Sequence, residues 1–234
     1  MGKDNLVIGI VGGMGPCATV DLFRRLVEAF PTKKDWEKPH IIVDSRSTIP
    51  SRVRAVLYDE KKEEVIECLA TSIRHLMNMG AQKIIVGCHT AHIFLPEALK
   101  RVSGSEKYVL DITRFSVNYC IDKGYKEIRL LASEGTVQTE IYTNIFANAG
   151  IRIVNPTEDE LIDIREFIEV VKQNIITKES VELFNKIITK DTCPILLGCS
   201  ELPVLYAYCI NRGVNFDNDI IDPFQNVIDY LVNM

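Results

Sequence analysis

The chain carries its own duplicate. Three strand-like runs recur at a spacing of 111 residues: Val43-Asp44 against Val154-Asn155, the run ending on Cys88 against the run ending on Cys199, and Leu110-Asp111 against Ile221-Asp222. Three strand ends in one register argue for a duplicated structural unit rather than coincidence. The glycine turns at Gly15 and Gly135 are 120 residues apart, so the segment joining turn to next strand is shorter in the second half. Leu6-Val7-Ile8-Gly9-Ile10-Val11 is continuously apolar, the kind of strand that a parallel sheet buries on both faces. Further strands read at His40–Asp44, Ile84–Val86, Tyr108–Ile112, Glu127–Ala132, Ile151–Asn155, Pro194–Leu197 and Ile220–Ile221.

Helical stretches alternate with these strands. The first follows the Gly12-Gly13-Met14-Gly15-Pro16 turn, with Thr19 or Asp21 as its cap and Val20, Phe23, Leu26, Val27 and Phe30 as its buried stripe. A long one runs from about Glu60 to Met79 and closes at Gly80. Others end near Gly124, contain Ile141, Ile145 and Phe146, surround Lys172, cover Val181 to Ile188, and close the chain after Pro223. The alternation predicts an α/β protein of two similar domains, each a mainly parallel sheet flanked by helices. Two such halves place a ligand in the cleft between them.

Both cysteine runs end alike. Ile84-Ile85-Val86-Gly87-Cys88-His89-Thr90-Ala91-His92 and Ile195-Leu196-Leu197-Gly198-Cys199-Ser200-Glu201 are each a strand, a glycine and a thiol with polar groups after it. A thiol where a strand gives way to a helix meets unpaired N–H groups and a positive dipole end, which favour thiolate. Free cysteine is often simply buried. The repeat and the hydroxyl and carboxyl neighbours point instead to two thiols working on one molecule. Cys88, His89 and His92 also allow a metal reading, but no further cluster completes a tetrahedral set. Cys17, Cys68, Cys120, Cys193 and Cys209 read as packing residues, Cys17 standing apart because it lies on the first turn. The Gly12–Gly15 turn lacks the spacing of a dinucleotide fingerprint and reads as a place where backbone N–H groups approach a carboxylate. Arg46 and Arg52 flank a hydroxyl-rich loop after the second strand, and Lys172 stands among Ile168, Val170, Val171, Ile175 and Ile176.

Composition removes several classes. The net charge is −5 with both signs interspersed, so there is no basic stripe for nucleic acid. No apolar run reaches membrane-spanning length, and Met1–Asn5 leads straight into a strand without a signal-peptide core. Seven cysteines, an odd number spread over 234 residues, fit a reducing cytoplasm.

These residues resemble the cofactor-independent aspartate/glutamate racemases, most closely the aspartate racemases. The likeness runs over nearly the whole chain: Ile8–Pro16 is similar to the family's opening, Ile49-Pro50-Ser51-Arg52 to its Pro-Asp-Arg loop, Cys88-His89-Thr90-Ala91-His92 to its Cys-Asn-Thr-Ala-His, Cys199-Ser200-Glu201 to its Cys-Thr-Glu, and Pro156–Glu160 to a common stretch. The resemblance implies Cys88 and Cys199 as catalytic thiols. It implies a substrate-binding set of Met14, Arg52, His89, Thr90, Thr136, Lys172, Ser200 and Glu201, with no metal and no cofactor. It implies a first domain of residues 1–105 plus 212–234, the terminal strand and helix returning to it, and a second of 106–211. It also implies a homodimer acting on a small amino acid. The first shell departs from the pattern: Ser51 stands for Asp, His89 for Asn and Ser200 for Thr, while Asp44 and Arg46 add charges near the crevice. An aspartate racemase is the expectation. Glutamate or a broader range of amino acids, a binding protein without turnover, and hydantoin racemisation, maleate isomerisation or malonate decarboxylation on the same scaffold are the alternatives.

Overall fold

A computed structural model describes residues 6–234. The first half runs β1 (Val7–Gly12), α1 (Pro16–Ala29), β2 (His40–Ser45), α2 (Arg52–Tyr58), α3 (Lys62–Asn78), β3 (Lys83–Val86), a 3₁₀ turn (Thr90–Phe94), α4 (Leu95–Lys100) and β4 (Val109–Leu110). After α5 (Ile112–Asp122) the plan restarts with β5 (Glu127–Leu131), α6 (Glu134–Gln138), α7 (Ile141–Asn148), β6 (Arg152–Val154), α8 (Glu158–Lys172), α9 (Lys178–Ile188), β7 (Ile195–Leu197), α10 (Leu202–Ile210), β8 (Ile220–Ile221) and α11 (Pro223–Asn233). The strands form two four-stranded sheets of identical order, β2-β1-β3-β4 and β6-β5-β7-β8, with every pairing parallel. The repeat read from the sequence is therefore a repeat of structure: β2 matches β6, β3 matches β7 and β4 matches β8.

The strands are buried because they are apolar throughout. Ile8, Ile10 and Val11 of β1 and Leu130 and Leu131 of β5 lie under helices on both faces. The sheets divide the chain differently from the expected 1–105 plus 212–234 and 106–211. β4 belongs to the first sheet and β8 to the second. What crosses over are the helices that follow. On α11, Phe224, Val227, Ile228 and Leu231 pack with Ile8, Ile10, Leu22 and Leu26 of the first half, whereas Val117 and Cys120 of α5 pack with Ile128, Leu130 and Phe146 of the second. Each half lends its last helix to the other. Asp111 and Asp222 start the two exchanged helices alike, their carboxylates accepting the N–H of Thr113 at 3.0 Å and of Phe224 at 2.9 Å.

Two local expectations are corrected. α1 begins at Pro16, where the missing N–H costs nothing, so neither Thr19 nor Asp21 is its cap. Thr19 is buried, donating to the Gly15 carbonyl at 2.9 Å and accepting the Gly13 N–H at 2.9 Å. That turns the Ala18, Thr19, Leu22, Leu26 face inward and leaves Val20 at 66% and Phe23 at 40% exposure. The loop after β2 is shorter than read, since α2 begins at Arg52 under an N-cap from Ser51.

Candidate active site

The loops at the carboxyl ends of β1, β3, β5 and β7 converge on one small cavity of about 60 Å³, a space for a few water molecules. Met14, Arg52, Cys88, His89, Thr90, Lys172, Cys199 and Glu201 line it, together with Ser51, Val53, Ser133 and Ile168. Cys88 comes from the end of β3 and Cys199 from the end of β7, the equivalent positions of the two halves. The other two residues of the expected set stand behind the lining. Thr136 is buried with its hydroxyl 2.8 Å from that of Thr90, and Ser200 is buried and donates to Glu201 at 3.0 Å. Both position lining residues.

The glycine turn brings the first half against the second. Gly13 has φ +83°, and a Cβ there would come within 2.4 Å of the Arg46 backbone. A Cβ on Gly15 would come within 3.0 Å of the Glu201 carboxylate. Arg52 reaches back over this turn. Its guanidinium donates to the carbonyls of Ile49 at 3.2 Å, Pro50 at 3.0 Å and Met14 at 3.0 Å, and its Nε is buried without a partner. Of five guanidinium donors, the remainder are free for an anion. Asp44 and Arg46 lie 3.7 Å apart as an ion pair and do not line the cavity. Lys172 is at the rim, donating to Glu169 at 2.8 Å. Burial pulls its pKa down, but Glu169, Glu201 and Cys199 together raise it, so it stays a cation.

The two thiols have different neighbours. The Cys199 sulfur donates to the Glu201 carboxylate at 3.0 Å. Burial first, and the Glu201 charge second, push its pKa well above the ordinary thiol value. Cys88 sits at the entrance to a 3₁₀ turn, and no side chain among the described residues bonds its sulfur. Its carbonyl lies 2.9 Å from His92 Nδ1, while His89 Nδ1 is 2.6 Å from the Tyr142 hydroxyl. The two histidines are thus bonded elsewhere and do not converge with Cys88 on a metal position; among the described residues no group of three or more metal-ligating side chains does. Burial holds both histidines below the usual imidazole range, His89 far below. They are neutral at physiological pH.

Sequence reasoning missed Val53, Ser133, Ile168 and Tyr142. Ser133 caps α6 and lies 3.1 Å from the Thr90 hydroxyl, a serine at a strand end that capping logic alone could have flagged. Tyr142 sits in an apolar helical run that carries no signal of its own. Among the described residues no helix is long and apolar enough to cross a membrane.

The family model for the Asp/Glu/hydantoin racemases matches residues 11–230, and the chain belongs to that family. The structure of Picrophilus torridus aspartate racemase is similar at 25% identity and a TM-score of 0.81, covering 97% of this chain and 93% of that one. An aspartate racemase homologue from Pyrococcus horikoshii shares the fold at 20% identity and a TM-score of 0.70, covering 97% of both chains. So does glutamate racemase from Campylobacter jejuni, at 17% identity and a TM-score of 0.68 over 97% of this chain and 85% of that one.

Proposed function

We propose that this member of the racemase family interconverts the enantiomers of an acidic amino acid, aspartate ahead of glutamate, without a cofactor. The observation that carries the reading is the pair of thiols, Cys88 and Cys199, at equivalent strand ends of the two halves and lining one cavity. Inverting a carbon requires a proton to leave one face and another to arrive on the opposite face. Two bases held by two separate sheets can do this without either crossing the substrate plane.

The two thiols differ in their neighbours. Cys199, bonded to a carboxylate and pushed up in pKa, is the thiol. Cys88, which has no carboxylate on its sulfur, is the group that takes the proton in this reading. In the forward step the Cys88 thiolate takes the Cα proton and becomes a thiol. The electron pair left on Cα spreads into the α-carboxylate. Cys199 then delivers its proton to the other face and becomes a thiolate. That thiolate faces Glu201, a like charge, so it is strongly basic and ready for the reverse reaction. Lys172 at the rim partly offsets the two negative charges. Stabilisation of the enolate-like carboxylate comes from donors already in place, chiefly the unspent guanidinium donors of Arg52. The second carboxylate of an acidic substrate would be met by Lys172, whose exposed rim position suits a side chain pointing outward.

Exchange of the Cα proton for deuterium tests this directly, with L- and D-aspartate, glutamate, alanine and lysine compared by kcat/KM. We expect aspartate to be processed best from either enantiomer. A neutral or basic amino acid preferred over aspartate overturns the acidic assignment, and binding without exchange overturns the enzyme reading.

A further inference from the structure

Three polar atoms on the cavity-lining residues are buried without a partner: Arg52 Nε, His89 Nε2 and Glu201 Oε1. Buried polar groups are rarely left unpaired without a reason. Arg52 offers a donor and Glu201 an acceptor. If His89 carries its proton on Nε2, the set is two donors and one acceptor, the complement of a carboxylate and an ammonium group. The tautomer of His89 therefore decides what the cavity presents.

That tautomer is controlled from the other half of the molecule. His89 Nδ1 lies 2.6 Å from the hydroxyl of Tyr142, which α7 contributes, and both side chains are buried. The imidazole also meets the ring of Phe224 edge-on, with centroids 4.9 Å apart at 81°, so its plane is held from a second side. Two proton arrangements are possible. If the Tyr142 hydroxyl donates to Nδ1, both atoms of the contact are satisfied and only Nε2–H is left over, on a residue that lines the cavity. If Nδ1–H donates to the Tyr142 oxygen instead, the phenolic hydrogen has no acceptor among the described residues and Nε2 is a second orphan. A buried unsatisfied group costs about 1–3 kcal/mol, which favours the first arrangement. Charged alternatives are closed off: burial keeps His89 neutral and keeps Tyr142 a phenol.

We propose that Tyr142 is a positioning residue, its hydroxyl fixing His89 in the Nε2–H tautomer so that His89 donates an uncharged hydrogen bond to the α-carboxylate of the substrate. The inference rests on the racemase reading and adds to it a donor supplied by one half and oriented by the other. As Cα loses its proton the carboxylate gains charge, and a donor that need not reorganise is worth more at that moment than in the ground state.

Nitrogen-15 NMR of histidine-labelled protein tests the tautomer, with His89→Asn assigning the resonance. We expect His89 as Nε2–H in the wild-type protein, an Nε2 shift on adding L-aspartate, and loss of the single tautomer in Tyr142→Phe. In turnover, Tyr142→Phe should lower kcat/KM about tenfold, the worth of one hydrogen bond, and should have no further effect in the His89→Asn background. An Nδ1–H tautomer in the wild-type protein, no Nε2 shift with L-aspartate, or additive effects in the double variant each overturn the proposal. If Tyr142→Phe does not fold, the wild-type spectrum still decides. If no amino acid is racemised, the tautomer and the L-aspartate shift judge this inference while the racemase reading falls separately.

Discussion

The two thiol loops are the same device fitted with different neighbours. Cys88-His89-Thr90-Ala91-His92 and Cys199-Ser200-Glu201-Leu202-Pro203 leave equivalent strands in one register, so His89 answers Ser200, Thr90 answers Glu201 and His92 answers Pro203. Around Cys88 the groups are neutral: two imidazoles kept uncharged by burial and a threonine hydroxyl. Around Cys199 a carboxylate holds the thiol proton at 3.0 Å. Duplication places a thiol at the equivalent strand end of each half, both lining one cavity, and sequence divergence at three positions gives the two thiols different neighbours.

The strongest way to break that comparison is to remove each thiol in turn. Cys88→Ala and Cys199→Ala should each lower racemisation by about 10³-fold or more, since each deletes one of two required proton-transfer groups. Optical rotation of an aspartate solution checks this. A variant that keeps turnover within tenfold of the parent shows that its half is not part of the chemistry.

A second comparison concerns the exchanged helices. Ile228 of α11 is fully buried against the first half, and Val117 of α5 is buried against the second. Ile228→Ala should cost about 2–5 kcal/mol in denaturant unfolding, and Val117→Ala less because fewer methylenes are lost. Because each half holds the other's helix, both variants should unfold in a single transition. Two separated transitions would show that the halves are independent units despite the exchange.

Glu201→Gln tests the asymmetry itself. Removing the carboxylate takes away one cause of the raised Cys199 pKa, so the thiol ionises at lower pH. The acid needed on that face is then lost earlier as pH rises, and the alkaline limb of the pH–rate profile should move to lower pH. A fall in kcat of about tenfold to a hundredfold is expected near neutral pH. An unmoved alkaline limb would separate Glu201 from the thiol.

Much of this was legible in the residues. Parallel strands buried on both faces have to be apolar runs, so their positions, the 111-residue register and the two thiols at strand ends could be read directly. The helices were less legible where two readings of one pattern compete. In α1 both the Val20 row and the Thr19 row are apolar enough to be a stripe, and the choice is made by the bonds of Thr19 to the glycine turn, a tertiary fact. α2 was missed because only Ala55 of its seven residues is buried, leaving no periodic stripe to find. Thr136 and Ser200 were expected in the substrate-binding set from the resemblance, and the structure adds that they brace Thr90 and Glu201, a detail that spacing does not encode. Tyr142 was invisible because its partner is on the other half. The placing of α11 with the first half and α5 with the second was expected from the resemblance; what was not expected is that β4 and β8 stay in the sheets of their own halves, because sheet partnership is not encoded in local periodicity.

The smallest expected effect separates the halves through stability rather than turnover. His89 and His92 lie in the first thiol loop, and their counterparts Ser200 and Pro203 do not titrate. Burial depresses both imidazoles in the folded state, with the neighbouring histidine adding to the effect at His89, while the unfolded chain titrates near 6.5. The sign follows from proton counting. Above 6.5 neither state binds these protons and the stability is fully present; as pH falls below 6.5 the unfolded chain takes up protons that the folded protein refuses, so stability is lost. Each histidine contributes a slope of at most about 1.4 kcal/mol per pH unit, and between roughly pH 6.5 and 5.5 the unfolded carboxylates remain ionised and add little. The remaining two of the four histidines, His40 and His75, are exposed, so the slope in this window should come from the first thiol loop. Urea unfolding at a series of pH values should show it in the parent, weakened in His89→Asn and in His92→Asn and close to absent in the double variant. A slope that survives in the double variant would place the titrating group elsewhere and remove the electrostatic difference between the two loops as its origin.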